Sequence, residues 1–533
     1  MPFPSSSSDT LLWPAAVNAA LLGTERTALA PPAPDTSLGA VAAGIMRVDP
    51  DPASALLRVA SAVTLYRRCG WLPTSSDDPL PAPCPADERR LCSPAAAGLL
   101  TRMLHGEHET LLGVWLTLAA KANVRAPAET LRELLDLGRS DASLRPLVLI
   151  VGGTRAAWLA RFNDDWSYAS AAGGAETLTS TWETGTGAAR VVALEQLRRL
   201  DADRARATLE STWARESPGD RALFVGALSH GLAMADEPFL ERALDDKRKE
   251  VRQRAASLLV RLAGSALVAR MTTRAMRLVS LGKATLLQRR QLDVELPAEA
   301  DAALMRDGLD PKPPAGSGIG ERAWWLAQII AAVPPAVWST TWSIEPGALL
   351  EVAKEHEWRE PLIAGWLTAA ERHRDSAWAR ALWEHEQTTR AGSRWGAPSP
   401  ERVFTSVVAP AEVDEALRRS IGAGHDTLRQ NQPVLNAIIE WTHEWSDPLA
   451  RAVAQRLKRY AGTDKVVLAG EFGLRALLER AALAVPVSAI DAFTDGWPDQ
   501  AEALTWATAT DRLASILRFR SDLHLAFSEE RTT

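Results

Sequence analysis

The chain has 533 residues and a formal net charge of −6, and 46% of its residues are hydrophobic against 24% charged. This composition is typical of folded globular proteins and excludes a largely disordered chain. The acidic balance argues against a protein that coats nucleic acid along its length or lies on an anionic membrane surface. No apolar run approaches the roughly 20 residues that cross a bilayer.

Targeting and redox features favour a cytoplasmic protein. The amino-terminal stretch MPFPSSSSDT has no basic region followed by an apolar one, so no signal peptide is expected. The chain has three cysteines, which form neither a CxxC pair nor a plausible disulfide framework: Cys69, Cys84 and Cys92.

Residues 1–150 predict an N-terminal helical region with a Pro-rich linker near residues 72–88, where five prolines prevent a helix. Two helices are expected before the linker, on either side of another Pro-rich break. Their predicted buried faces contain Leu12, Val17, Ala20 and Leu21 in the first helix, and Leu56, Val59, Ala60, Val63 and Tyr66 in the second. After the linker, three apolar-periodic segments between Pro94 and Gly138 predict antiparallel helices, because their connections are short.

A period of 31 residues dominates the segment from 151 to 275. Five sets of residues recur in register at this spacing: Leu178, Leu209 and Leu240; Trp182, Trp213 and Leu244; Arg190, Arg221 and Arg252; Ala193, Phe224 and Ala255; Leu197, Leu228 and Leu259. A repeat of this length is typical of stacked helical hairpins, each of which buries its apolar face against its neighbour. The sequence therefore predicts an all-α fold, an α-solenoid of helical hairpins.

Residues 236–262 show the hairpin most clearly. Apolar stripes mark two helices, and a polar turn from Asp245 to Glu250 separates them. An Asp in this turn followed by Val-Arg at the start of the second helix resembles the HEAT-repeat pattern. Leu240 and Leu259 are expected to face each other inside this hairpin.

The repeat stops after residue 275. Residues 276–320 predict an irregular insertion, with alternating apolar and polar residues near its middle that favour a small β-hairpin and a Pro/Gly loop at 308–320. Residues 321–533 predict a Trp-rich helical region with a break near residues 392–400.

Tryptophan is the residue type most out of proportion, with 20 Trp against 3 Tyr. Nine of them fall in one C-terminal stretch: Trp324, Trp325, Trp338, Trp342, Trp358, Trp366, Trp378, Trp383 and Trp395. Large rings that fill wide gaps between helices are the first interpretation. A Trp-lined groove for a peptide, sugar or base is the alternative.

No sequence pattern predicts a catalytic residue, a cofactor or a metal. The segment LVLIVGGTR at residues 147–155 lacks the Lys-Ser or Lys-Thr of a phosphate-binding loop, so it predicts a helix end capped by Gly152 or Gly153. Three Glu-His-Glu triplets lack the i, i+4 spacing of helical metal sites. Ser229 and His230 are sequence neighbours and point in different directions, which excludes a nucleophile–base pair.

Five segments resemble an uncharacterised bacterial family of unknown function: AALLGTER at 19–26, GTRAAWLA at 153–160, DEPFLERALDDKRKEVRQRAASLL at 236–259, RDGLDPKPP at 306–314 and GERAWWL at 320–326. The resemblance spans nearly the whole chain. It implies a genomic context, because members of that family tend to be encoded beside MoxR-type AAA+ ATPases, von Willebrand A-domain proteins and SWIM zinc-finger proteins. The candidate interaction residues lie in these segments: Arg155, Trp158, Arg306, Asp307, Glu321, Arg322, Trp324 and Trp325.

These observations favour a noncatalytic cytoplasmic scaffold or adaptor for protein–protein interaction. The resemblance adds a MoxR-type AAA+ ATPase and a von Willebrand A-domain protein as its partners. The loop from Arg306 to Glu321 is the favoured interface, and internal pairing of Arg306 and Arg322 with Asp307 and Glu321 is the structural alternative. Two other functions stay open: a nucleic-acid-binding or base-processing HEAT-like protein, which needs a contiguous basic groove, and a Trp-lined all-α glycoside-processing enzyme, which needs two carboxylates in one cleft.

Overall fold

A computed structural model describes most of the chain: residues 7–30, 34, 36–69, 81–170, 175–282, 290–296, 298–389, 396–423, 428–429, 432–462, 468, 472–498 and 504–529. Part of the predicted linker, residues 72–80, lies outside the described residues, as do Trp71, Trp395 and most of the predicted break near 392–400. The chain divides into two compact units, residues 1–83 and 84–533.

The first unit contains three helices: α1 (Ser7–Leu22), α2 (Ser37–Val48) and α3 (Pro52–Cys69). The sequence predicts two, and α2 is the one it misses, because its many Ala and Gly residues leave only a short apolar stripe within the Pro-rich break. The predicted face of α1 is also wrong, since Val17 and Leu21 are exposed while Leu12, Ala16 and Ala19 are buried. Apolar residues surround α1, so periodicity alone cannot select its buried side.

The second unit begins with the helices that precede the insertion: α4 (Pro94–Leu104), α5 (Leu112–Lys121), α6 (Leu131–Ser140), α7 (Arg145–Ala160), α8 (Ser167–Ser170), α9 (Ala175–Thr184), α10 (Gly187–Leu200), α11 (Ala202–Thr212), α12 (Pro218–Ala227), α13 (Glu237–Ala243), α14 (Lys249–Leu259) and α15 (Ala266–Leu278). The strands β1 (Val279–Leu281) and β2 (Leu292–Val294) follow and pair antiparallel, with Val279 opposite Val294. The predicted small β-hairpin is thereby confirmed.

The remaining helices run to the end of the described chain: α16 (Ala302–Arg306), α17 (Glu321–Ala331), α18 (Ala336–Trp342), α19 (Pro346–Ala353), α20 (Arg359–His373), α21 (Ser376–Thr389), α22 (Pro400–Val407), α23 (Pro410–Ala423), α24 (Pro433–Glu440), α25 (Asp447–Ala461), α26 (Phe472–Ala484), α27 (Asp491–Thr494) and α28 (Leu504–Glu529). The all-α prediction is confirmed. None of the helices within the described ranges combines the length and the apolar character needed to cross a membrane.

Side-chain caps define where many of these helices begin. A Ser, Thr or Asp side chain accepts a hydrogen bond from the amide three residues later, which satisfies an N–H that has no partner inside the helix. The residues in this role include Ser93, Thr186, Ser217, Ser265, Asp301, Ser399 and Ser446. Proline follows several of these caps at the first helical position, where its missing N–H costs nothing.

The 31-residue period corresponds to three helix pairs: α9 with α10, α11 with α12, and α13 with α14. The second helices of these pairs, α10, α12 and α14, pack side by side in that order. The recurring apolar positions are buried in one continuous core: Leu178, Leu209 and Leu240; Ala193, Phe224 and Ala255; Leu197, Leu228 and Leu259. The period therefore records a repeated contact between neighbouring helices.

The last helix packs against the beginning of the second unit. α28 contacts α26 and α27 and also α4 and α5. Phe519, Leu523 and Phe527 of α28 join the core of α4 to α8, and the rings of Phe527 and Trp115 meet edge to face at 5.6 Å. Because residues about 400 positions apart meet here, the packing of helices in this unit is closed and not open-ended.

Candidate functional site

Two of the three arginines that recur in the repeat join successive hairpins, whereas the third, Arg252, bonds to the turn of its own hairpin. Arg190 donates a hydrogen bond to Glu216 at 2.9 Å, and its guanidinium lies 4.2 Å from the centre of the Trp182 ring. Arg221, 31 residues later, donates to Asp246 at 2.6 Å. Arg190 and Arg221 thus each contact an acidic residue in the turn of the next hairpin. The hydrogen bond from Arg190 lowers the pKa of the Glu216 carboxyl, so this contact is ionic at neutral pH.

A second arginine forms a fully buried pair with Asp236. Both nitrogens of the Arg198 fork donate to the Asp236 carboxylate at 2.8 Å, and neither side chain is more than 1% exposed. Further N–H groups of Arg198 donate to the carbonyls of His230 and Gly231. With its donors satisfied in this way, Arg198 fixes α10 to the turn before α13 and offers nothing to a ligand.

Asp307, one of the predicted interaction residues, is the centre of a buried carboxylate–guanidinium network. It follows α16, and its side chain is only 2% exposed. Arg270 donates to it at 2.7 Å and Arg274 at 2.5 Å, and Arg306 lies 3.5 Å away. The network ties the end of α16 to α15.

Arg306 faces a different carboxylate most closely. Its Nε donates to Asp245 at 2.6 Å, and Glu241 lies 3.6 Å from its Nη1. This hydrogen bond lowers the pKa of Asp245 and raises that of Arg306. Arg306 therefore links the predicted loop to the turn between α13 and α14, which corresponds to the internal-pairing alternative with Asp245 as the main partner.

The adjacent residues Trp324 and Trp325 have different environments. Trp325 is buried, and its indole N–H donates to the carbonyl of Pro311 at 2.8 Å. Gln328, one turn later, bonds both the amide and the carbonyl of Asp310 at 2.8 and 3.0 Å. The Pro-rich loop is therefore held against α17 by two side chains. Trp324 lies about 100° around the helix and takes no part in this contact.

Trp324 lines a groove of about 280 Å³, which we call the Trp324 groove. Small side chains of α14, α17 and α20 form much of its lining: Ala256, Ser257, Ala327 and Ala364. Asp307, Gln328 and Arg372 add polar groups. Trp324 is partly buried, and its indole N–H has no acceptor among the described residues.

Gly308 shapes the same groove. Its φ is +87°, and a Cβ on this residue would lie 2.3 Å from the Cβ of Ala256. Only glycine allows this approach without a shift of the neighbouring helix. The structure thus brings together Asp307 and Trp324 of the predicted residues and adds Gln328 and Gly308.

The other predicted residues lie outside the groove. Glu321 and Arg322 are exposed in the first turn of α17, where Arg322 donates to the carbonyl of Leu296 at 2.9 Å. Arg155 is exposed on α7, and Trp158 packs edge to face on Phe162 with ring centres 4.8 Å apart.

The predicted helix end at the double glycine is confirmed as a break inside α7. Gly153 has φ 59° and ψ −150°, which is outside the helical region. Across the break, Arg89 donates to the carbonyl of Ile150, and Asp87 accepts from the amide of Thr154 at 3.3 Å. A cation thus caps the end of the first half-helix and an anion caps the start of the second, as the helix dipole favours. Hydrogen bonds from Arg89 hold the pKa of Asp87 far below its usual value.

The described residues contain no group of three or more His, Cys, Asp or Glu side chains placed to hold a metal ion.

Two buried titratable groups have shifted pKa values. Burial raises the pKa of Glu401, and burial with the nearby Arg372 lowers the pKa of His373 to about 4. Neither Glu401 nor His373 lines the Trp324 groove, so neither joins a catalytic pair there.

The tryptophans mainly fill the core. Of the 18 whose positions the structure describes, ten are buried and eight are partly buried. Trp383 stacks on Phe404 at 4.1 Å, and Trp338 and Trp366 meet edge to face at 6.5 Å. The core-filling interpretation therefore accounts for most of them.

Sequence reasoning missed a larger cavity. It has a volume of about 1040 Å³, lies between α26 and α28, and contains Arg475, Arg480 and Arg512. The available signal was the presence of two arginines, five residues apart, on the largely apolar α26. That signal does not place α28 beside α26, since the two helices are joined through a long connection.

The fold and the groove define an all-helical protein in which most of the buried charges join helices to one another. Comparison with known families identifies the family of this chain. It belongs to the family of unknown function DUF5691, whose model matches residues 15–527. The prediction of a family of unknown function across nearly the whole chain is confirmed. No curated protein and no solved structure matches the chain.

Proposed function

We propose that the protein is a noncatalytic adaptor that binds a partner protein in the Trp324 groove. The observation that carries the proposal is the position of Trp324: a large, partly buried ring in the wall of a groove that is lined in large part by small side chains. Tryptophan is among the residues most enriched at binding hot spots.

The rigidity of the surroundings supports this role. Gln328 and Trp325 hold the loop beside the groove, and the Asp307 network fixes the other side. A groove that is already ordered loses little conformational entropy when a partner binds. The packed hairpins behind it are proposed to be HEAT-like repeats, whose extended surfaces generally serve protein recognition.

The proposed partners are a MoxR-type AAA+ ATPase and a von Willebrand A-domain protein, and the proposed compartment is the cytoplasm. This assignment rests on the genomic context that the family resemblance implies. In this role the adaptor would bind the ATPase and its client at the same time and so hold them close together.

A pull-down from purified components tests the proposal. Trp324→Ala is expected to abolish capture of the ATPase or of the A-domain protein, because it removes the ring that lines the groove. Trp497→Ala is the matched control, since Trp497 is also partly buried but bonds to the carbonyl of Phe493 outside the groove. Thermal unfolding of both variants verifies that they are folded.

Retained binding by folded Trp324→Ala would exclude the groove as the interface. Loss of binding in an Arg155→Ala or Trp158→Ala variant, with Trp324→Ala unaffected, would move the interface to α7.

A further inference from the structure

The cavity between α26 and α28 lies on the helix that also packs against α4 and α5. We call this cavity the seam cavity. Its walls come from α26 and α28, with Ile439 of α24, Leu468 and Thr110, which lies just before α5. Its volume of about 1040 Å³ is at the upper end of the range for small-molecule sites, roughly 300–1,000 Å³.

The lining is mainly apolar. Leu478 and Leu483 of α26 and Leu513 and Ile516 of α28 face the cavity together with Ile439 and Leu468. An apolar ligand body would therefore be removed from water along two helices, which is the main source of binding free energy for such ligands.

The charges in the lining are unbalanced even without Arg475, which donates to the carbonyl of Leu468. Arg480 and Arg512 stand against one carboxylate, Glu479. Within the described residues, neither Arg480 nor Arg512 forms a salt bridge with any carboxylate, and Glu479 pairs with no cation. The lining thus favours an anion over a cation or a neutral group.

Arg480 is the most informative of these residues. Its Nη2 donates to the carbonyl of His443 at 3.0 Å, while its Nε–H is buried without an acceptor in the described part of the chain. Burial, together with the charge of Arg520, lowers the pKa of Arg480. Arg520 is itself 2% exposed, and Glu444 is 3.8 Å from it.

The guanidinium of Arg480 is partly buried and has no carboxylate partner among the described residues, and an added carboxylate would offset part of the cost of desolvating its charge. The planar fork of arginine matches the two oxygens of a carboxylate, and such charge-assisted hydrogen bonds are stronger than neutral ones. A ligand with an anionic head and an apolar body would use both features of the cavity at once.

We propose that the seam cavity binds a small anionic amphiphile of the fatty-acid class, with its carboxylate on Arg480 and its hydrocarbon chain between α26 and α28. Since α28 also packs on α4 and α5, the ligand stabilises the closed arrangement of the second unit. The proposal does not depend on the adaptor function or on the Trp324 groove.

Decanoate, below its micellar concentration, is the probe. Calorimetry on the full chain is expected to show saturable binding with a stoichiometry of one, and decanoate is expected to raise the melting temperature. Acetate tests the carboxylate head group without a hydrocarbon tail, and decyltrimethylammonium tests the same hydrocarbon tail with a cationic head group. Both are expected to leave the melting temperature unchanged.

Variants locate the binding. Arg480→Gln is expected to weaken decanoate binding by about tenfold or more, as loss of a charge-assisted hydrogen bond does. Arg518→Gln is the matched control, because Arg518 is exposed on α28 and does not line the cavity. Ala509→Phe is expected to block the cavity, whereas Ala507→Phe places the same ring on the exposed side of α28.

The melting temperature without ligand shows whether each variant is folded, and Arg480→Gln is expected to melt no lower than the unaltered chain because it removes an unpaired charge. Equal binding of decanoate and decyltrimethylammonium would overturn the proposal, since the arginines would then have no role. Unchanged affinity in both Arg480→Gln and Ala509→Phe would overturn it as well.

Discussion

At the scale of single residues, the pair of Arg198 and Asp236 shows how hydrogen bonds stabilise a buried charge. Burial by itself raises the pKa of the Asp236 carboxyl, but hydrogen bonds from Arg198, from the amide of Ala233 and from Arg206 outweigh that effect, and the pKa lies below its usual value. The pair is fully buried, so neither charge has water as an alternative partner.

Replacement of Asp236 by Asn is expected to lower the free energy of unfolding by about 3–5 kcal/mol, because Arg198 would remain as an uncompensated buried charge. Urea unfolding measures the change. Asp203→Asn is the control, since Asp203 is largely exposed and pairs with Arg206 on the surface. Equal losses of unfolding free energy in the two variants would contradict the conclusion that the buried pair of Arg198 and Asp236 stabilises the fold.

The same pair gives a pH dependence with a definite sign. Because the folded-state pKa of Asp236 lies below the value of 3.8 for an unperturbed Asp, its stabilisation is present above about pH 4 and is lost as the pH falls through the folded-state pKa. A melting-temperature profile is expected to fall less steeply in acid for Asp236→Asn than for the unaltered chain.

At the scale of elements, the period of 31 residues reflects helix-to-helix packing. Leu259 in α14 and Leu240 in α13 are both completely buried in one core. Leu259→Ala is therefore expected to cost about 2–5 kcal/mol of unfolding free energy. Leu223→Ala on α12, where the leucine is about half exposed, serves as the control and is expected to change stability little.

The break in α7 depends on Gly153. A Cβ there would lie 2.0 Å from the Asp87 carboxylate, and φ is positive. Gly153→Ala is expected to destabilise the chain by roughly 1–3 kcal/mol through backbone strain and loss of the Asp87–Arg89 cap. Gly98→Ala in α4, where nothing lies within 4 Å, is expected to be neutral or stabilising by up to about 1 kcal/mol. Differential scanning fluorimetry of the two variants gives the comparison.

How much of the candidate site was predictable depended on the kind of contact involved. Asp307 and Trp324 lie in conspicuous segments, so sequence reasoning selected them. It could not separate Trp324 from Trp325, because their different roles follow from which side of α17 meets the loop at Pro311. It also left open whether Arg306 contacts a partner or pairs with Asp307, and it did not consider Asp245, 61 residues away, which is its closest carboxylate.

At the scale of the second unit, the carboxyl-terminal helix completes a core that begins near residue 92. Phe527 is 1% exposed against Trp115, while its near neighbour Leu525 is 61% exposed. Phe527→Ala is expected to cost about 3–5 kcal/mol, whereas Leu525→Ala is expected to cost little. Hydrogen exchange of α4 and α5 provides the second readout, since their protection is expected to fall in Phe527→Ala. Unchanged exchange there would contradict the closed packing.

The sequence by itself determined the all-helical class and the β-hairpin, and it favoured a core-filling role for the tryptophans without excluding a groove. These properties follow from periodicity and capping, which act over a few residues along the chain. Only the tertiary structure decided the contact of α28 with α4 and α5, the partners of Arg306 and the arginines that line the seam cavity. Such features depend on residues tens to hundreds of positions apart, and their pairing is set by the total packing of the unit, which no local pattern encodes.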